Sequence, residues 1–312
     1  MRVVTRAPVR IDFGGGWTDV PPICAEAGGR VCAAAIARYA TVTLESSDGE
    51  AHARAEPLVA AALRRAGLRD VRLTIANDFP IAAGLGGSSA AGIAIQAALA
   101  AWNDEAPSPI ALVTRSRAVE VEDLGIAGGW QDHCAAALGG MLDMRFGAGL
   151  PDVRAAVGRA ETATALERRS IVIYTGESRM SGSIISAVVG AWRDPGSATR
   201  DRLRRMAANA GDQLDAFARG DVDAFARLVG EQWVLQRALH PAIPTDRIDA
   251  IIAQAAGAGS LGAKALGASG GGCVLVIAAD GREAEVRAAI APLGDLLPFT
   301  IARSGVQIVS ST

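Results

Sequence analysis

Lysine is nearly missing from this 312-residue chain: Lys264 is the only one among 31 basic residues, and all the others are arginines. A GC-rich genome accounts for that bias, as it does for the abundance of Ala and Gly. One consequence holds whatever the cause: no lysine flanks the glycine-rich loop at Gly84–Ser89, so a Walker-type loop ending in G-K-[ST] is excluded there. Cysteine is also sparse. Cys24, Cys32, Cys134 and Cys273 are scattered with no C-x-x-C spacing, which argues against a zinc site or a disulfide framework and for reduced, buried thiols. Charge of one sign is lacking too. With a net charge of −2, nothing suggests a basic surface built for nucleic acid. No run reaches about 18 uncharged apolar residues, and the opening MRVVTRAPVR has no apolar signal core. The expectation is a soluble, cytoplasmic protein without a membrane partner, as monomer or homodimer.

What is present is hydrophobic substance, 50% of the residues, enough for one large domain or two ordinary ones. VVTRAPVRIDF, ARYATVTLES and VRLTIANDFP predict strands, the last ended by Pro80. AAGIAIQAALAAW predicts a close-packing helix of small residues. A second helix is predicted over Pro109–Leu124 with Ser108 as N-cap, and a third in the Ala-rich run to Leu138, closed by Gly139–Gly140. Polar residues thicken around 150–168. Beyond them come a strand at RSIVIYTG, helices near 182–193, 200–219, 221–239 and 245–257, strands at CVLVIAA and FTIARSGVQIV, and a helix over Arg282–Ala291. Interleaved strands and helices predict an α+β protein with an N-terminal domain over 1–160 and a C-terminal domain over 168–312.

Four segments carry residues suited to chemistry. Pro80–Ala90 (PIAAGLGGSSA) is a glycine-rich turn opening a helix, where unpaired N–H groups and the helix dipole favour an anion. A serine-capped structural turn explains this segment equally well by itself. In Glu120–Asp132, Glu120 and Glu122 lie on different helix faces. Glu120 shares the apolar stripe of Val113 and Leu124, so it is the inward carboxylate, and an inward acid needs a partner such as Mg²⁺. Asp132 follows a Gly-Gly turn, at the base of a pocket or as a helix cap. Arg6–Pro22 sets an in-strand Arg10 before Gly14–Gly16, an exposed-looking Trp17, Thr18 and Asp19: a flat face for a sugar ring and a carboxylate for its hydroxyls, or a structural turn. Lys264–Cys273 places four glycines before an apolar strand, for tight packing or for approach to a ligand.

In this order the four segments resemble the kinase superfamily of galactokinase, homoserine kinase, mevalonate kinase and phosphomevalonate kinase, over nearly the whole chain. The superfamily's phosphate loop P-x-x-x-G-L-G-S-S-A appears with one extra glycine, Gly87, and the last motif has Ser269 in place of a glycine. The galactokinase pattern of an arginine nine residues before a sugar-binding Asp matches Arg10 and Asp19. Its metal-binding Glu twelve residues before a catalytic Asp matches Glu120 and Asp132. GGWTDVPPICAEAGG and GGWQDH look most like L-fucokinase, with heptose 7-phosphate kinases next, and His133 stands where many relatives carry Gln.

The resemblance implies a first domain like ribosomal protein S5 domain 2, a ferredoxin-like second domain, and ATP, Mg²⁺ and a small sugar meeting in the cleft between them. The roles it implies are catalysis by Asp132 and Arg10, ATP binding by Gly84, Leu85, Gly86, Gly87, Ser88, Ser89 and Ala90, and metal binding by Glu120 and Ser89 (or Ser88). Asp19, Trp17, Thr18, Gly16, Gly270 and Gly271 are the expected acceptor residues. Arg30, Arg38 and Arg179 are candidates to hold an acceptor phosphate. A non-catalytic sensor on the same fold, or a kinase of a non-sugar molecule, is the alternative.

Overall fold

The computed structural model describes residues 1–47, 56–177 and 182–312. Its first half runs β1 (Arg2–Gly14), α1 (Ile23–Ala27), β2 (Gly29–Ser46), α2 (Pro57–Ala66), β3 (Val71–Asn77), α3 (Gly87–Trp102), α4 (Pro109–Ala118), α5 (Gln131–Leu138), β4 (Met141–Phe146) and β5 (Asp152–Ala155). The second half runs α6 (Ala160–Arg169), β6 (Ser170–Tyr174), α7 (Gly182–Arg193), α8 (Thr199–Arg219), α9 (Val222–Arg237), α10 (Asp246–Gly257), β7 (Ser260–Ala265), β8 (Cys273–Ala278), α11 (Glu283–Ile290), β9 (Asp295–Leu296) and β10 (Gln307–Ser311).

Strands and helices mix in both halves, as expected of an α+β protein. Among the described residues one sheet has the order β10-β1-β2-β4-β5, with β3 also on β2, and the other has the order β7-β8-β6-β9; every pairing is antiparallel. β10 pairs with β1, so the last residues return to the N-terminal sheet, which a cut of the chain at 160–168 does not anticipate.

The first half of β1 alternates buried and partly exposed residues, while Ala7 to Gly14 is buried throughout. Continuous burial requires cover on both faces, and α3, α5, α8 and α9 all pack on this strand. The many small residues of α3, with apolar Ile93, Ile95 and Leu99 among them, let it sit at the centre, buried from Ser89 to Ala100. Period-2 alternation then splits the second sheet between two cores. Cys273, Leu275 and Ile277 of β8 join the core that includes Val9 and Leu85, while Val274 and Val276 join Trp192, Ile248 and Val286 on the other side.

Several boundaries differ from the sequence expectation. β2 begins at Gly29, and β4 and β5 form from a stretch with weak alternation. FTIARSGVQIV yields only a bridge at Ile301 before β10. The helix from Pro109 widens after Ala118 into a π-turn at Val119–Asp123, and Leu124 falls outside it.

Candidate active site

The phosphate-loop candidate links β3 to α3. Gly84 and Gly86 both adopt left-handed φ, 75° and 77°. A Cβ on Gly84 would lie 2.7 Å from the carbonyl oxygen of Leu266, and one on Gly86 would lie about 3.1–3.2 Å from the Asp132 carboxyl group. Glycine is thus required on two counts, backbone conformation and close approach. α3 starts at Gly87, so the N–H groups of its first turn have no intrahelical acceptor and point at the loop mouth. Leu85 fills the core with its side chain, and its carbonyl accepts from the Arg10 N–H at 3.0 Å. The Ala90 N–H is already taken by the Gly86 carbonyl, leaving the amides before it as the free donors.

Arg10 lies beneath this loop. Its Nε and one terminal nitrogen reach Asp132 Oδ1, each at 2.7 Å, and the other terminal nitrogen donates to the Gly84 carbonyl at 2.5 Å. Arg10 is 3% exposed and the Asp132 side chain 27%, so the arginine is sealed while the carboxylate opens to solvent. Burial alone would lower the Arg10 pKa, but the charge of Asp132, followed by that of Asp12, holds it above its ordinary value. Asp132 sits in the first turn of α5, where the helix dipole favours an anion.

Glu120 is the inward carboxylate, as its helical stripe predicts, whereas the Glu122 side chain is 63% exposed and pairs with Arg65 on the surface. Ser88 Oγ donates to Glu120 Oε1 at 3.0 Å and Ser89 Oγ to Oε2 at 3.4 Å, which joins α3 to the π-turn at the loop mouth. His133 Nε2 lies 2.7 Å from Glu120 Oε2, with its Nδ1 3.1 Å from Ser116 Oγ. Burial works to raise the Glu120 pKa, but the His133 hydrogen bond and the serine hydroxyls outweigh it and hold the carboxyl below the usual range. One carboxylate beside two hydroxyls is an all-oxygen donor set that suits a hard cation such as Mg²⁺, which takes its remaining ligands from phosphates and water.

The acceptor candidates are placed less as expected. Trp17 is not exposed. Its φ of 78° turns the ring into the second core with Val20 and Ile23, leaving it 4% exposed and unable to offer a flat face. Thr18 is buried, its hydroxyl donating to the Gly15 carbonyl. Asp19, 1% exposed, accepts from the backbone N–H groups of Trp130 and Gln131 at 2.8 and 2.9 Å and from Gln131 Nε2 at 3.1 Å. Burial pushes its carboxyl up to about 6, against the opposing hydrogen bonds. Gly16 borders Asp12 and the Gln131 amide. Two buried polar atoms here have no protein partner, Trp17 Nε1 and Gln131 Oε1, and such atoms call for a ligand or water.

Gly270 and Gly271 meet backbone instead of an open cleft. The Gly270 N–H donates to the Ile243 carbonyl, and Gly271 lies against Glu177. Ser269 holds a left-handed φ of 68° in the position expected for glycine, with Gln236 Nε2 donating to its hydroxyl. Arg30 is engaged by Asp143 through two parallel bonds, and Arg38 by the carbonyls of Pro298 and Asp78. Arg179 lies outside the described residues. Arg117 stands 4.1 Å over the Trp130 ring, and its Nε is buried without a partner. Gln131 and Asp12 are the site neighbours that sequence patterns pass over, and His133 was marked only as standing where many relatives carry Gln. The signal that could have led to Asp12 was the solitary Lys264, which pairs with it.

Two family models match the chain: "GHMP kinases N terminal domain" over residues 53–140 and "GHMP kinases C terminal" over 213–292, together just over half its length. D-glycero-alpha-D-manno-heptose 7-phosphate kinase of Campylobacter jejuni is 26% identical, over 86% of this chain and 87% of that protein. L-fucokinase/L-fucose-1-P guanylyltransferase of Bacteroides fragilis is 26% identical over 98% of this chain, yet the chain spans only 38% of that protein's length. Among solved structures, a D-glycero-D-manno-heptose 1-phosphate kinase from Bacteroides thetaiotaomicron superposes with a TM-score of 0.79 at 24% identity, covering 99% of both chains. Lactococcus lactis galactokinase complexed with galactose superposes at 0.76 with 17% identity, over 98% of this chain and 95% of that one. These two likenesses speak for the fold.

Proposed function

Since the chain belongs to the GHMP kinase family, we propose that it is an ATP-dependent sugar kinase that moves the γ-phosphoryl group of ATP to a sugar hydroxyl, the anomeric one. The observation that carries this is the convergence of Arg10 and Asp132 under the loop, with Gly86 in contact with the Asp132 carboxyl group.

The loop fits a nucleotide's phosphates: free first-turn amides of α3, two serine hydroxyls, and glycines whose Cβ atoms would run into Leu266, Asp132 and Phe79 and so displace the loop. Glu120, Ser88 and Ser89 would hold Mg²⁺, which when bound neutralises phosphate charge along the transfer path. Asp132 accepts or polarises the proton of the attacking hydroxyl, and its exposed edge gives that hydroxyl access. Arg10 holds the acceptor-facing carboxylate in place and sets a fixed positive charge beside the charge that develops in transfer. The buried unpartnered Trp17 Nε1 and Gln131 Oε1 favour a polyhydroxylated acceptor. Trp17 would then act through its N–H and not as a stacking platform, while Asp19 orients the Gln131 amide. Phosphoryl transfer of this kind belongs in the cytoplasm, where ATP is at hand.

The acceptor is an L-fucose-like sugar or a heptose 7-phosphate. Arg30 is already paired and Arg38 is bonded to carbonyls; Arg117 beside Trp130, with Nε unpartnered and one terminal nitrogen 3.5 Å from the Gly128 carbonyl, is the cation proposed for an anionic acceptor. ADP release measured with L-fucose, heptose 7-phosphate and a panel of neutral hexoses tests the proposal. Turnover with one of them is expected. ATP binding without ADP release on any sugar would favour a sensor and refute the kinase.

A further inference from the structure

Lys264 is the chain's single lysine and one of its most deeply buried charges: it is fully buried, and its partner Asp12 is 2% exposed. Nζ donates to the Asp12 backbone carbonyl at 2.9 Å and to Asp12 Oδ2. The pair crosses the molecule, joining β1 of the first sheet to β7 of the second. Each residue then leads back to the phosphate loop. Asp12 Oδ1 accepts from the Gly267 N–H at 3.4 Å, Gly267 packs on Gly84, and Gly84 accepts from Arg10, which holds Asp132.

A compact ammonium suits this place. Its two acceptors come from one residue, whereas a guanidinium would bring five donors in a planar fork into a fully buried slot. That explains why arginine, which stands at every other basic position, does not stand here. Asp12 is two residues from Arg10 on β1 and contributes to the raised Arg10 pKa. Without Lys264, Asp12 is an uncompensated buried carboxylate whose charge acts on Arg10, two residues away on the same strand.

We infer that Lys264 is a positioning residue for phosphoryl transfer: by neutralising Asp12 it leaves the Arg10 guanidinium committed to Asp132 and Gly84. The inference rests on the roles proposed above for Arg10 and Asp132. Its chemistry is electrostatic, so removing both charges repairs what removing one breaks.

The test compares Lys264→Met with the Asp12→Asn/Lys264→Met double variant. In the full-length enzyme, with the sugar that the panel identifies, Lys264→Met is expected to lower kcat by about 100-fold, the scale of losing a positioned proton acceptor, with the KM for ATP changed less than about threefold. The double variant recovers to within about tenfold of wild type. A merely packed lysine predicts the reverse, a double variant as slow as the single one. If Lys264→Met does not fold, the double variant decides alone, and a kcat still about 100-fold down overturns the inference. A readout independent of turnover separates this from failure of the kinase reading. The ¹⁵N-labelled Arg10 Nε–H resonance, assigned through Arg10→Lys, should shift in Lys264→Met and return in the double variant. If no sugar is phosphorylated but that pattern appears, only the kinase reading fails. An Arg10 resonance unmoved in a folded Lys264→Met overturns the positioning role.

Discussion

Replacing Asp132 with Asn is the sharpest perturbation of the proposed chemistry, because it changes charge and basicity while keeping shape. The amide oxygen can still accept from Arg10 Nε in the place of Oδ1, now at 2.7 Å. Loss of a positioned proton acceptor lowers kcat by about 10²–10⁴-fold, equivalent to about 3–5 kcal/mol of transition-state stabilisation. The effect on stability should be much smaller. Removing one partner of a fully buried pair costs about 3–5 kcal/mol, but this carboxylate is 27% exposed, and Asp12 and Asp19 also contribute charge at Arg10. About 1–2 kcal/mol is expected, a shift in Tm of only several degrees. A coupled ADP-release assay gives kcat, binding of a fluorescent ATP analogue gives nucleotide affinity, and a thermal melt gives stability. The expected pattern is a collapsed kcat with near-normal ATP affinity and a folded protein at 25 °C. Turnover within a few-fold of wild type would refute the proton-acceptor role. Collapse of nucleotide affinity along with kcat would instead show that Asp132 shapes the loop through its contact with Gly86.

Glu120→Gln removes the proposed metal-holding charge, so the apparent affinity for Mn²⁺, read by electron paramagnetic resonance in the presence of ADP, should fall at least about tenfold. Glu122→Gln, on the exposed side of the same turn, should leave it unchanged. Gly84→Ala forces a Cβ to 2.7 Å from the Leu266 carbonyl at a φ of 75°, and strain of about 1–3 kcal/mol should raise the KM for ATP about tenfold or more. An unchanged KM would remove Gly84 from the nucleotide site. Asp19 gives a pH signature. Its folded pKa of about 6 lies above the ordinary 3.8, so the native state binds this proton more tightly than the unfolded chain. The stabilisation it provides is complete below about pH 4 and is lost as pH rises through about 6, at most about 3 kcal/mol. Asp19→Asn should therefore match wild type near pH 4 and exceed it in denaturant midpoint at pH 8; a variant less stable at pH 8 would contradict the assigned burial cost.

Local rules served where one element decides the outcome. Glu120 was legible because helical spacing puts it on the stripe of Val113, and it stays buried although it lies within the π-turn Val119–Asp123 and not in the regular helix. Gly84 and Gly86 were legible as a tight turn before a helix, and the small residues of α3 as close packing. β5, a short strand of weak alternation that pairs with the neighbouring β4, was not, and neither was the fate of FTIARSGVQIV, whose pairing is decided by β1 at the other end of the chain. Trp17 failed for a related reason. Three glycines followed by an aromatic read as an exposed loop, yet a left-handed φ at Trp17 itself turns the ring into a core built largely from residues after 170.

The site residues whose partners sequence patterns do not reveal share one property: each acts through a partner more than ten residues away. His133 is adjacent to Asp132 but serves Glu120, thirteen residues back across the π-turn. Gln131 binds Asp19 over 112 positions, and Asp12 binds Lys264 over 252. No periodicity links such pairs, because each partner satisfies its own element's pattern independently; Asp12 looks like one more residue of a strand, and Lys264 stands out by residue type but not by anything that points to Asp12. What betrays them is energetic and not positional. A buried charge is costly unless paired, so a strand that buries Asp12 beside Arg10 must find a second cation somewhere, and a chain that otherwise uses only arginine supplies the compact one where a guanidinium does not suit. The same reasoning ranks the site's residues for mutation: the greatest coupling between distant substitutions is expected along the Asp132–Arg10–Asp12–Lys264 line, and a double-mutant cycle between Lys264 and Asp132 should be non-additive by about 1 kcal/mol or more in kcat although the two side chains share no contact.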